Sequence, residues 1–295
     1  MKGNLLTTSR AERPHEPRFR GAAGLIWLIV LAIAPLTLVA DGELHESIVT
    51  LSKRLAQESE NAELYVRRGN LYREHRSWRA AQEDFVRAEQ LDPERYAVDL
   101  LRGLTWFEAG RPALAKPALD RFLAIEPRHG EALMTRARVL AALGDAQAAV
   151  ADFTQVIAIE ATPDAYLERA QALVAADDGQ IEEALRGLDE SRDTLGPLVT
   201  LAQLAIELEL KRAHYDAALM RLDEIAATTA RQDTWLAQRA EILEQAGDLN
   251  EARKVYGDTL AALDTLPRHR RNTRASAALE DRVHAALDRL SMAIR

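Results

Sequence analysis

Residues 21–40, GAAGLIWLIVLAIAPLTLVA, contain no charged side chain and are apolar on every helical face. A helix of that length rises about 30 Å, the thickness of a bilayer core. Before it, residues 1–20 are polar and basic, with Lys2, Arg10, Arg13, Arg18 and Arg20 against Glu12 and Glu16. The pattern predicts an export signal or anchor whose basic flank stays in the cytoplasm, so that the chain after Asp41 lies outside. Two forms fit. Leu38-Val39-Ala40 is a small-residue cleavage site with Pro35 breaking the helix before it, and the full length of the span suits a retained anchor. Beyond residue 41 the pattern changes, because apolar positions recur at helical spacing on one face only. Leu51 and Leu55 do so within 43–60. Ala81, Phe85 and Ala88 follow within His75–Glu94, and Leu279, Val283, Ala286, Leu287 and Leu290 within 275–293. This is the pattern of an all-α protein of amphipathic helices.

The helices repeat. Gly69, Gly103 and Ala137 recur at one constant interval, which Ala81, Ala115 and Ala149 also keep, as do Phe85, Leu119 and Phe153. Pro93 and Pro127 keep the same interval; Ala161 takes the third place, with Pro163 two residues later. Counted from Ala62, the first unit has Tyr65, Gly69, Tyr72, Ala81, Phe85, Ala88 and Pro93 at positions 4, 8, 11, 20, 24, 27 and 32. In its interval and in these positions the chain resembles the tetratricopeptide repeat family. The resemblance implies a right-handed α-solenoid of antiparallel helix pairs. It divides the chain into units 62–95, 96–129, 130–162, 163–196, 197–230 and 233–266. A half-repeat helix over 43–60 precedes them and a capping helix over 275–293 follows. The fourth unit holds extra residues around DDGQ, and the fifth is degenerate. Small residues at positions 8 and 20 let helix axes approach and large ones fill the space between. Gly110, Gly144 and Gly247 release each first helix into its turn, and proline stops the second.

Composition narrows the remaining chemistry. Hydrophobics are 47% and aromatics only 5%, so the core is built from Ala and Leu. The absence of cysteine removes disulfides, thiolate metal sites and thiol nucleophiles together. A net charge of -8 argues against a nucleic-acid partner. The seven histidines are scattered, and no phosphate-binding glycine loop, zinc-binding His pair or nucleophile elbow is present. ADDGQIEE (176–183) lacks the alternating oxygen ligands of a calcium loop. No catalytic residue, metal or cofactor is expected. The basic run PRHRRNTR (267–274) reads as a connector before the cap, or as a contact to anionic lipid.

The resemblance implies a concave groove lined by positions 2, 5, 9 and 12 of the first helices. Here that gives Val66, Asn70, Arg73, Leu100, Leu104, Phe107, Met134, Arg138, Leu167 and Gln171. Either these residues meet a helical or extended partner segment, or some of them pack against neighbouring helices. The clamp with which some members grip a terminal carboxylate is incomplete, since Val66 replaces its lysine and Leu104 interrupts the next unit. Arg68, Arg102, Arg136, Arg169 and Arg239 precede the small residue of their units. They form either a basic ladder for an acidic peptide or structural pairs with acids such as Asp84 and Asp152, which stand at matching places on their second helices. The expected function is a non-catalytic protein-binding scaffold outside the cytoplasmic membrane, periplasmic if bacterial, and tethered to the membrane if residues 21–40 are retained. The alternatives are a membrane-anchored scaffold facing the cytoplasm, or a regulatory subunit of an envelope enzyme complex.

Overall fold

The structure, a computed structural model, describes residues 42–94 and 97–293. The basic segment 1–20 and the apolar span 21–40 lie outside the described residues. No helix within the described residues is long and apolar enough to cross a membrane.

Among the described residues there are fifteen α-helices and no strand. Helix α1 covers 42–55. Six helix pairs follow: α2 (Ala62–Glu74) with α3 (Trp78–Leu91), α4 (Ala97–Glu108) with α5 (Pro112–Ile125), α6 (Gly130–Ala142) with α7 (Ala146–Ile159), α8 (Pro163–Ala176) with α9 (Ile181–Leu195), α10 (Val199–Lys211) with α11 (Tyr215–Ala227), and α12 (Asp233–Ala246) with α13 (Leu249–Asp264). A short α14 (Arg268–Arg271) leads into α15 (Arg274–Ala293), which packs on α13 and α12.

Small and large side chains set the spacing within each pair. Ala81, Ala115 and Ala149 are fully buried, and Phe85, Leu119 and Phe153 fill the gap opposite. A methyl group added at Gly69 would sit 2.6 Å from the Phe85 ring, and one at Gly103 would sit 2.6 Å from Leu119 Cγ. The backbones of these two units therefore approach more closely than any side chain at that position allows. First helices end in left-handed turns at Gly110, Gly144 and Gly247, with φ of +69°, +83° and +85°. Arg76 and Ala213 take the same conformation at φ 57° in the first and fifth units, without glycine's freedom. Side-chain caps open several helices: Asn61 accepts from Leu64 N–H, Asp145 from Ala148 N–H and Thr162 from Ala165 N–H. The extra residues of the fourth unit form a 3₁₀ turn, Asp178–Gln180, which the Asp177 carboxylate holds by accepting from Gly179 N–H at 2.9 Å.

Each pair stacks on the next, so the core is a chain of local clusters. At the far end Leu279, Val283, Ala286 and Leu290 of α15 cover Val255, Tyr256 and Leu263. The first helices also touch one another directly, α2 with α4, α4 with α6 and α8 with α10. Among the described residues no such contact of comparable extent joins α3 to α5 or α5 to α7. The row of first helices is thus the more closely spaced one and forms the inner face of the curve.

Candidate functional site: the inner face and its arginines

The five ladder arginines are all paired with acids. Arg68 holds Asp84 by two hydrogen bonds, Nε to Oδ2 at 2.8 Å and Nη2 to Oδ1 at 2.7 Å, and donates a third to Ser52 of α1 at 3.0 Å. Arg136 repeats this with Asp152, at 2.7 and 2.8 Å, and donates its remaining Nη1 to Asp120 at 3.1 Å. Hydrogen bonding to Asp84 and to Asp152 is the main cause that raises both guanidinium pKa values above their usual level. Asp84 and Asp152 are buried, 5% and 3% exposed. The other three units lack an acid at the matching place and find one elsewhere. Arg102 donates to Glu89 at 2.7 Å, Arg169 donates to Glu183 at 3.0 Å, and Arg239 pairs with Asp223 of α11. Each arginine bridges its helix to a second helix of its own or the preceding unit. The geometry supports structural pairing over a free basic ladder.

The groove residues divide into three groups. Leu100 and Leu104 are buried, 9% and 8% exposed, in one cluster with Leu119, Phe122 and Leu133. They fill the joint between the second and third units and present little surface. Val66, Phe107, Met134 and Leu167 are half-buried: each packs its root on a core cluster and leaves part of the side chain on the inner face. The polar members follow. Gln171 is exposed, and Asn70 is half-buried with a buried Oδ1 that has no hydrogen-bond partner in the structure. Arg73 donates from α2 to Glu108 of α4 at 2.8 Å. Arg138 of α6 grips Glu168 of α8 through both carboxylate oxygens, at 2.6 to 3.0 Å.

These two ion pairs between consecutive first helices were not anticipated from the sequence. The partners lie 35 and 30 residues apart, close to one repeat length. Aligning the units and searching neighbouring first helices for opposite charges would have found them. No group of three or more potential metal-ligating His, Asp or Glu side chains occurs among the described residues.

The model of the tetratricopeptide repeat family matches residues 130–163, the unit built from α6 and α7. That unit is thus a tetratricopeptide repeat. Solved structures show the same architecture at low identity. A tetratricopeptide repeat protein from Parabacteroides merdae is 16% identical, with a TM-score of 0.52 over 85% of this chain and 97% of that one. The C-terminal part of a TPR repeat-containing protein from Cytophaga hutchinsonii is 14% identical, with a TM-score of 0.63 over 79% and 95%. YrrB, described as a TPR protein with an unusual peptide-binding site, is 16% identical, with a TM-score of 0.52 over 64% and 97%. At these identities the likeness is one of fold. No curated protein matches the sequence significantly.

Proposed function

We propose that this protein is a non-catalytic scaffold that holds a segment of a partner protein along its inner face, outside the cytoplasmic membrane and tethered there by residues 21–40. The observation that carries the binding reading is the inner row from α2 to α8. It presents half-exposed apolar side chains, Val66, Phe107, Met134 and Leu167, on four consecutive first helices. Asn70 itself is half-buried on this row, so its side chain lies beside any segment held there. The neighbouring apolar side chains supply surface for alternate residues of an extended segment or one face of a helix. The peptide-binding site of YrrB, on a related fold, supports the same use of the architecture. The extracytoplasmic placement rests on the uncharged span and its basic flank.

Capture of partners by the full chain from a detergent extract tests the binding face. Phe107→Glu places a charge on the inner row and is expected to abolish capture while leaving the helical circular-dichroism signal unchanged. Capture at equal yield by a folded Phe107→Glu protein would remove the inner face from the proposal. For placement, a reporter enzyme fused after residue 295 is expected to be active only outside the cytoplasm; activity only inside supports the cytoplasm-facing alternative.

A further inference from the structure

The edge of the array that carries the turns from α2 to α3 and from α4 to α5 holds a pair of tryptophans beside the start of α1, which follows residues 21–40. Trp78 opens α3 and Trp106 lies near the end of α4. With Ser77, Arg79, Glu83, Ala109 and Arg111 they border one open depression. Arg111 stacks its guanidinium 6.0 Å from the Trp106 ring centre. Both rings are half-buried.

Chain length decides what faces this depression. Helix α1 begins at residue 42, two residues after the apolar span ends at Ala40. Two residues reach at most about 7 Å, and each headgroup layer is roughly 5–7 Å thick. If residues 21–40 stay in the bilayer, the first turn of α1 is therefore held at headgroup depth. That turn contributes His45 to a second depression, bordered by Tyr72, His75 and Ser77. Ser77 borders both, so the tryptophan pair is contiguous with the tethered end. The turns on this edge carry His75, Arg76 and Arg111. The opposite turns carry Glu58, Glu60, Asp92 and Glu94. Acids also flank the tryptophan edge. Glu83 and Glu108 are paired with Arg79 and Arg73, while Glu43, Glu46 and Glu74 stand beside them. Tryptophan and arginine beside a tethered end are the residues that settle at a lipid–water boundary.

We infer that Trp78, Trp106 and Arg111 seat this edge in the headgroup layer of the membrane that holds residues 21–40, fixing the orientation of the array. The inference rests on the retained-anchor reading. The chain lacks cysteine, so single cysteines carry spin labels without background. The full chain, with Ala109→Cys on the tryptophan edge or Glu94→Cys on the opposite one, is reconstituted into vesicles of phosphatidylcholine with phosphatidylglycerol. Relaxation by bilayer-soluble oxygen and by a water-soluble nickel complex reports depth. The expected result is protection from nickel with gain from oxygen at residue 109, and full nickel access at residue 94. Vesicle-bound protein with both labels in bulk water overturns the inference and leaves the anchor standing. Protein that does not float with the vesicles overturns the anchor, and the inference with it.

Discussion

Replacing Arg136 with methionine separates a structural arginine ladder from a ligand-gripping one. The substitution keeps the aliphatic stem and removes the guanidinium. Asp152 is then left 3% exposed without its two hydrogen bonds at 2.7 and 2.8 Å. Stranding one partner of a buried pair costs about 3–5 kcal/mol. The Arg136 side chain is 22% exposed, so water reaches part of the site and the lower end applies. The second partner, Asp120, adds little: its side chain is 39% exposed and Lys116 also holds it, at 2.7 Å. The expected loss is therefore about 3 kcal/mol. With a urea dependence of about 2–3 kcal/mol per molar, that lowers the unfolding midpoint by about 1 M. Repeat arrays open unit by unit, so hydrogen exchange should rise first in α6 and α7. Arg136→Met combined with Asp152→Leu removes both charges and should recover most of the loss, which makes the pair strongly non-additive. A single variant of unchanged midpoint and exchange, with partner capture lost, would refute structural pairing and restore the ladder as a binding element.

Other consequences are simpler to measure. Phe85→Ala empties a fully buried site and should destabilise by about 3–5 kcal/mol in urea melts. Gly69→Val drives a branched side chain into the Phe85 ring and should destabilise by about 1–3 kcal/mol, despite glycine's poor helix propensity. Ala213→Gly should stabilise by about 0.5–1 kcal/mol, because it relieves a left-handed alanine at the cost of some unfolded-chain entropy. Tyr256 donates to Glu244 at 3.0 Å; burial first, and then this bond, push its pKa well above the tyrosine range. The unfolded tyrosine ionises near pH ~10. The stabilisation is therefore complete below that pH and is lost as pH rises toward the folded value, by about 1.4 kcal/mol per pH unit. Tyr256→Phe should flatten this alkaline slope while costing about 1 kcal/mol at neutral pH.

The repeating half of the architecture was legible because packing imposes it at fixed positions. Ala81 with Phe85, and their equivalents one and two units on, face the partner helix of their own pair, and a positive φ at Gly110 or Gly144 favours glycine, although Arg76 and Ala213 make the same turn without it. The arginine pairs were legible only where the second helix carries its acid at the repeating place, at Asp84 and Asp152. In the other units that place is taken by Ala118, Leu185 and Val255, and the arginine turns to whatever acid the stack brings near. The inner face was harder. Asn70 and Leu104 occupy the same position in adjacent units, yet Asn70 remains half-buried while Leu104 joins the core. Position in the unit gives the direction of a side chain, whereas burial depends on how fully the next unit closes over it. For Leu100 and Leu104 the closing residues include Leu133 of α6, at a large pattern position, and Val139, which the repeat pattern leaves free to vary.

Separating the residues that hold the stack from those that do not shows where recognition can reside. The buried face of each second helix packs against its pair, and the ladder arginines are committed to acids. Two features remain outside this structural set, the inner row from Val66 to Gln171 and the tryptophan edge at Trp78 and Trp106. They adjoin at one end, since the inner row runs along the faces of α2, α4, α6 and α8, the tryptophans cluster where α2 turns into α3 and α4 into α5, and Trp78 shares a depression with Arg73 and Glu108. Seating the edge in a headgroup layer therefore leaves open the part of the row away from Arg73 and Glu108, at Met134, Leu167 and Gln171. Arg73–Glu108 and Arg138–Glu168 cross the row between consecutive units. A ligand that spans the row thus bridges joints that these pairs already brace, and its binding should slow hydrogen exchange throughout α2 to α8 while leaving α12 to α15 unchanged.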